Sequence, residues 1–275
     1  MPESMSAVRT VRLSVIIITR DEAADIGATL ASVAFADEVV VLDSGSQDDT
    51  VAIARAHGAR VEQAGDWQGF GIQKNRVLAL AGGEFVLSID ADECVPPALA
   101  AEIQAVLAAP GTLAGWRLPR ASSYCGRVLR HGGWWPDHVL RLFRRQGARF
   151  SDDRVHERLI PTPGAIGTLQ HPLQHRTYAT LEEVLAKVDR YSSEGAAQAN
   201  ARGKRTRFSS AVGHGMWAFF RTYVLRAGFL DGAHGFMLAV SNAEATYYRY
   251  AKLWLLQQGG AAPVARSVST GTREH

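Results

Sequence analysis

Two carboxylates flank one small residue in Asp90-Ala91-Asp92, directly after the apolar run Glu84–Ile89. At the end of a strand, both side chains reach one volume beyond the sheet. Oxygen ligands at that density suit a hard divalent ion, Mg2+ or Mn2+, and such ions keep few protein ligands and bind substrate phosphates instead. The triplet therefore points towards a nucleotide-diphosphate substrate, although Asp-x-Asp alone is also a common turn sequence. Two earlier apolar runs end in the same way. Leu13–Ile18 leads into Thr19-Arg20-Asp21-Glu22, and Glu38–Leu42 leads into Asp43-Ser44-Gly45-Ser46. A helix N-cap would account for any one of these acidic loops; three in succession point to a site.

The elements that must carry these loops alternate strand and helix. Short β-branched strands over Leu13–Ile18, Glu38–Leu42, Arg60–Gln63 and Glu84–Ile89 are separated by helical patterns over Asp25–Val33, Asp48–His57 and Phe70–Ala81, with another helix over Ala98–Leu107 after Pro96-Pro97. Ser46 with Asp49 reads as a capping box for the second helix. Such alternation predicts an α/β fold with a parallel sheet, whose ligands bind beyond the carboxyl ends of the strands. From Gly115 the pattern changes. Strands are expected over Gly115–Pro119 and His138–Arg145, a Gly- and aromatic-rich hairpin or loop over Ser122–Asp137, and irregular chain over 146–178. Thr180 with Glu183 forms a second capping box, opening a helix with Leu181, Val184, Leu185, Val188 and Tyr191 on one face.

Charge follows the same division. Of 30 Lys+Arg and 27 Asp+Glu, residues 1–110 hold 7 and 16, residues 111–200 hold 13 and 8, and residues 201–275 hold 10 and 3. An acidic front and a basic back suggest two different partners. With 47% hydrophobic residues the chain is too apolar for disorder to dominate. The cysteines, Cys94 and Cys125, lack CxxC spacing and read as small buried residues of a reducing compartment. No secretory signal is visible in Met1–Arg12, and no apolar run is long enough to span a bilayer. P-loop, GxGxxG and G-x-S-x-G motifs are missing, which disfavours P-loop NTPases, dinucleotide oxidoreductases and hydrolases of the nucleophile-elbow type.

The blocks IIITRDEA (16–23), ADEVVVLDSGSQDDT (36–50), WQGFGIQKNRVLALA (67–81) and FVLSIDADE (85–93) resemble the nucleotide-sugar domain of family 2 glycosyltransferases. WWPDHVLRLFRR (134–145), VHE (155–157) and GFLDG (228–232) are similar to blocks of the bacterial lipopolysaccharide core heptose β-1,4-glucosyltransferases. The similarity covers roughly residues 12–256, in several ordered blocks. The first loop reads Asp21-Glu22 where the family has Asn-Glu. The resemblance implies a GT-A fold: Rossmann-like, with a mostly parallel central sheet and a helical C-terminal extension. The expected domains are a GT-A catalytic domain over 12–178, with a nucleotide-sugar half (12–110) and an acceptor half (111–178), then a basic helical extension over 179–258 and a disordered tail over 259–275.

The same resemblance implies an inverting, metal-dependent transfer of a hexose, glucose first among them, from a UDP-sugar to an inner-core heptose of lipopolysaccharide. Thr19 and Glu22 would contact the nucleoside, and Asp43 the uracil N3–H. Lys74 would neutralise diphosphate or hold the donor sugar, the alternative being a solvated helix lysine. Asp90 would sit near ribose and metal, and Asp92 would bind Mg2+ or Mn2+. Glu157 is the expected general base, with Asp137 the second candidate and His156 able to orient the carboxylate. Arg141 and Arg145 share a strand face and would grip a phosphorylated glycolipid, with Trp135 stacking on a sugar; charge protecting a strand edge is the alternative for the arginines.

Beyond Phe208, the helical pattern Ser209–Ala227 sets Val212, Met216, Phe219, Phe220, Tyr223 and Ala227 on one face near Arg205, Arg207, Arg221 and Arg226. Packing on the catalytic domain and lying at a membrane interface both fit such a face. The expected setting is cytoplasmic, peripheral to the inner membrane, with no nucleic-acid partner. A transferase of the same fold acting on another envelope glycan or lipid, and a non-catalytic membrane scaffold, are the alternatives.

Overall fold

In the computed structural model, residues 11–151 and 157–259 are described. The chain divides into two compact units. One runs through Ser122 and resumes over Pro136–Arg176; the other comprises Ser123–Trp135 and the chain from Thr177 onward.

The first unit is built on β1 (Leu13–Thr19), a nearly continuous apolar run. Leu13, Val15 and Ile17 face one hydrophobic cluster and Ile16 faces another, so the strand is buried on both sides. Then follow α1 (Ile26–Ser32), β2 (Glu38–Asp43), α2 (Thr50–Ala56), β3 (Arg60–Gln63), α3 (Phe70–Leu80), β4 (Phe85–Ser88), β5 (Glu93–Cys94) and α4 (Pro97–Ala108). Pro97 occupies the first helical turn, where a missing N–H costs nothing. Next come β6 (Gly115–Tyr124), β7 (Arg127–Val128), β8 (Asp137–Arg144), β9 (Arg149–Phe150), β10 (Leu159–Ile160), β11 (Ile166–Thr168) and β12 (Leu173–Tyr178), of which β7 and the last two residues of β6 and of β12 fall in the second unit.

The sheet order is β3-β2-β1-β4-β8-β6-β12-β5, with β7 and β11 paired to β6. Strands β3, β2, β1 and β4 are mutually parallel, whereas β8 is antiparallel to β4 and β6. The α/β architecture expected from the alternation is therefore present. Chain order reverses between β1 and β4, which opens the crevice where such sheets take their ligands. One face is covered by α1, α2 and α4 through Ile26, Leu30, Ala54, Leu99 and Ile103, the other by α3 through Val77 and Leu78.

Four expectations need correction. The strand from Gly115 continues through Pro119 to Tyr124, and residues 146–178 contain four short strands rather than irregular chain. Ser46 does not cap α2: its hydroxyl accepts from the Asp21 N–H and donates to Asp43. The N-cap is Asp49, with no side-chain cap hydrogen bond, and the preceding Asp48 accepts from the N–H of Thr50 at 3.1 Å. Cys94 and Cys125 are free and half-buried rather than buried. The expected disordered tail lies outside the described residues except for Gly259.

The second unit holds α5 (Leu181–Ala201), α6 (Phe208–Phe220), a π-helical turn over Arg221–Leu225, a 3-10 turn over Gly228–Asp231, and α7 (Gly232–Gln257). The Thr180 cap is present. Its hydroxyl accepts from the Glu183 N–H, and the Glu183 carboxylate accepts from the Ala179 N–H at 2.8 Å. Of the apolar face expected on α5, Val184 is buried and Val188 packs beside it, but Leu181, Leu185 and Tyr191 are exposed. The other buried positions of α5 and α6 are small: Ser192 and Ala196, and Ala211, Gly215 and Ala218. A Cβ on Gly195 would meet Arg249 of α7, and one on Gly215 of α6 would meet Tyr247 at 3.1 Å and the Ala243 carbonyl at 3.3 Å.

Asp231 closes this unit. Its buried carboxylate accepts from the N–H groups of Arg130 and His131 and from the His131 ring. Burial alone would raise its pKa, but those donors together hold it below the ordinary carboxylate value. Asp231→Asn should therefore cost about 1–3 kcal/mol at neutral pH, read as a lower urea midpoint. A depressed carboxylate stabilises above its unfolded pKa, so the two proteins should converge as pH falls through the folded value of Asp231.

Candidate active site

The loops after β1 and β2 are tied together at the carboxyl ends of their strands. Thr19 and Asp43 are level partners across the β1–β2 pair. Asp21 adopts φ 54°, a left-handed conformation that Asn and Asp tolerate better than other residues with a side chain. In that pose its carboxylate accepts from the Gln47 N–H at 2.7 Å. The Glu22 N–H reaches the Thr50 hydroxyl at 2.8 Å, and the Ala23 N–H reaches Asp48 at 3.0 Å. Asp43 is fully buried and accepts from the N–H groups of Gly45 and Ser46 at 3.0 and 3.1 Å. Any uracil N3–H would share an acceptor already engaged by the loop.

Four consecutive residues of α3 each clasp a different part of the unit. Gln73 donates to the Ser44 hydroxyl at 2.9 Å and to the Ala64 carbonyl at 3.2 Å. Lys74 is buried, 6% exposed, and its Nζ lies 2.8 Å from Glu157 and 3.2 Å from Asp90. The solvated-lysine alternative is thereby excluded. Asn75 exchanges two hydrogen bonds with the backbone of Phe150, at 2.9 and 2.8 Å. Arg76 pairs with Asp66 through both of its terminal nitrogens, at 2.8 and 2.7 Å.

From Lys74 an ionic chain runs across the sheet. The other Asp90 oxygen meets Arg141 Nη2 at 2.6 Å, and the same nitrogen meets Glu93 at 2.7 Å. Glu93, with no exposed surface, lies 3.5 Å from Arg120 and accepts from the Asp90 N–H at 2.9 Å. Arg120 then pairs with Asp137 at 2.6 Å. The two carboxylates expected as candidate bases, Glu157 and Asp137, thus sit at opposite ends of one chain of charges. Burial would raise the Asp90 pKa, but Arg141 and Lys74 more than reverse this and hold it well below the usual range. Glu93 is pushed up, by burial first and by Asp90 as well, against the pull of Arg141. Burial disfavours the Arg141 charge, yet the two carboxylates hold it above its ordinary value.

Asp92 lies outside this chain. Its carboxylate is 3.3 Å from His175 Nε2, and His175 Nδ1 is 3.1 Å from the Ser122 hydroxyl. An aspartate oxygen beside an imidazole nitrogen is a donor set that fits a divalent ion. Among the described residues no group of three or more His, Cys, Asp or Glu converges as a metal site, so substrate and water would complete the coordination. Two buried polar atoms lack protein partners among the described residues: Thr19 Oγ1, at the end of β1, and Arg141 Nε.

The structure therefore brings Lys74, Asp90, Arg141 and Glu157 together, and sets Thr19 beside Asp43. Asp137 joins them only through Arg120 and Glu93. Arg145 does not share a site with Arg141: it follows the end of β8, where its Nε donates to the Gly83 carbonyl at 2.8 Å. Trp135 belongs to the second unit, with the Arg130 guanidinium 5.7 Å from its ring centre. His156 lies outside the described residues. Sequence reasoning missed Gln73, Asn75, Glu93, Arg120 and His175. Of these, Gln73 and Asn75 flank Lys74 in its block and Glu93 directly follows Asp90-Ala91-Asp92, whereas Arg120 and His175 lie in no motif.

A family model described as glycosyl transferase family 2 matches residues 14–168, more than half of the chain, and the protein belongs to that family. It is a glycosyltransferase enzyme. Among its relatives, a glycosyltransferase of Rickettsia felis is 30% identical, over 94% of this chain and 95% of its own. The lipopolysaccharide core biosynthesis glycosyltransferase LpsC of Rhizobium meliloti is 29% identical, over 88% of this chain and 92% of its own. Of solved structures, glucosyl-3-phosphoglycerate synthase from Mycobacterium tuberculosis, in complex with Mn2+, uridine diphosphate and glucosyl-3-phosphoglycerate, is 22% identical. It covers 64% of this chain and 75% of its own, with a TM-score of 0.45.

Removing the Arg141 guanidinium would leave Asp90 and Glu93 facing each other with one cation fewer. Arg141→Met should cost about 3–5 kcal/mol near neutral pH, measured by urea unfolding. The deficit should shrink below about pH 5, because a carboxylate freed from its cation takes up a proton more readily.

Proposed function

We propose that the protein transfers a hexose, glucose first among the candidates, from a UDP-sugar to an inner-core heptose of lipopolysaccharide, with inversion at the anomeric carbon. The observation that carries this reading is the meeting of Lys74, Asp90 and Glu157 beyond the strand ends, beside the β1–β4 reversal. The similarity to LpsC along nearly its whole length supports the lipopolysaccharide acceptor.

In this reading Thr19 Oγ1 and the tied loops after β1 and β2, with Glu22 and Asp43, receive the nucleoside. Lys74 places a cation beside Asp90 at the diphosphate. Asp92, with His175 beside it, would hold Mg2+ or Mn2+, whose charge stabilises the departing diphosphate. Asp90 is the second candidate ligand, although both of its oxygens already meet cations. The acceptor hydroxyl forms the new bond to the anomeric carbon while the bond from that carbon to the diphosphate oxygen breaks. Its proton passes to a carboxylate, Glu157 by preference and Asp137 as second choice. Arg141 acts by fixing Asp90 rather than by gripping the acceptor. The setting proposed is the cytoplasmic face of the inner membrane, with no nucleic-acid partner.

A donor screen with Mn2+ or Mg2+ and truncated core acceptors tests the reading. Release of UDP from UDP-glucose only when a heptose is exposed is the expected result. Use of another envelope glycan would shift the acceptor, and no turnover with any donor would favour a non-catalytic scaffold. Asp92→Ala should abolish metal-dependent turnover; unchanged turnover would remove Asp92 from the metal. Glu157→Gln should lower the rate by about 100-fold or more while keeping donor affinity. Normal transfer by that variant, together with a loss in Asp137→Asn, would move the base to Asp137.

A further inference from the structure

We infer that the second unit docks on an anionic lipid bilayer through the outward side of α6 and the two turns that follow it. The inference deepens the membrane setting proposed above, but its observations are independent of the acceptor.

Helix α6 inverts the usual arrangement of an amphipathic helix. Its buried stripe is small, Ala211, Gly215 and Ala218, continued by Thr222, and the tight Gly215 contacts lie against α7. Its large residues point outward instead. Val212, Met216, Phe220 and Val224, four residues apart, are all exposed, Met216 by 69%. Trp217, 52% exposed, has its ring 6.0 Å from that of Phe220. Exposed Phe229 and Phe236 join the same surface through Tyr223, at ring distances of 6.3 and 5.5 Å. Leu225 and Leu230, between these residues in the chain, are each 58% exposed. A continuous apolar surface of this kind marks an interaction site.

Charge identifies the occupant. Arg205, Arg207, Arg221 and Arg226 are exposed around the apolar residues. From Gly203 to Asn242 the sequence has one acidic residue, Asp231, and it is buried against His131 and Arg130. Aromatic and aliphatic residues rimmed by arginine, without exposed carboxylates, match the boundary between anionic headgroups and acyl chains. A second copy of the chain fits less well, because a two-fold contact would set this patch against itself and oppose arginine with arginine. No helix among the described residues is long and apolar enough to cross a membrane, so the contact is interfacial.

The test is co-sedimentation of the full chain with phosphatidylcholine vesicles containing about one-third phosphatidylglycerol, at low and high salt. Wild type should bind at low salt, and more weakly at high salt or on pure phosphatidylcholine. Met216→Ser/Trp217→Ser/Phe220→Ser should weaken binding by about tenfold or more, with an unchanged thermal melt. Arg207→Glu/Arg221→Glu should weaken it by at least about fivefold per arginine. Wild type left in the supernatant at low salt would overturn the inference, as would the triple variant binding like wild type. A wild-type dimer that the triple variant converts to monomer would assign the patch to a second copy instead. Turnover on a deacylated, soluble core acceptor should be equal in all variants. If wild type binds vesicles yet turns over no acceptor, the acceptor reading fails and the docking surface stands.

Discussion

Pairing of buried charge is the constraint on which the first unit depends. Glu157, Lys74, Asp90, Arg141, Glu93, Arg120 and Asp137 are linked in one chain of ion pairs, four carboxylates against three cations. Glu93 has no exposed surface, and Lys74 and Arg141 have very little, so none of these three would be tolerated alone. The pairs also tie α3 to the segment after β9, and β8 to the loop after β4, without any need for a continuous apolar contact. One carboxylate remains in excess, before Asp92 is added. Asp90, Asp92 and Glu93 come from the acidic front of the sequence, whereas Asp137 and Glu157 come from its basic middle.

The hub is α3, and its spacing explains why. Successive helix residues point about 100° apart, so Gln73, Lys74, Asn75 and Arg76 reach different neighbours from one turn. Gln73 holds the loop after β2, Asn75 holds β9, and Lys74 joins Asp90 to Glu157. The proposed donor site at the ends of β1 and β4 and the proposed base, Glu157, are in this way connected through one ammonium group. The site is organised by hydrogen bonds and charge; its floor is the double-sided apolar sheet beneath.

Local patterns were legible in the sequence. The β-branched runs gave the parallel strands, and Thr180 with Glu183 correctly marked the start of α5. Ser46 with Asp49 carried the same local signature, yet Ser46 serves a long-range tie to Asp21 and Asp43, which no three-residue spacing reveals. Lys74 could be singled out by its block, but not its burial, because Glu157 is 83 residues away in the chain. Arg141 was read by residue type as an acceptor contact. Its burial follows from β8 lying between β4 and β6, a fact of sheet order rather than of the RLFRR sequence. On α5 and α6 the apolar period was visible, but the direction of packing was not: apart from Val184 and Val188 of α5, small residues face inward and most large ones face out.

The buried Lys74 ammonium would join the proposed donor site to the carboxylate proposed to take the acceptor proton. Calorimetric titration of UDP into wild type and Lys74→Met, each with Mn2+, tests it most directly. UDP affinity should fall by about tenfold or more in the variant while its circular dichroism remains that of the folded protein. A folded Lys74→Met protein that binds UDP as tightly as wild type would contradict it.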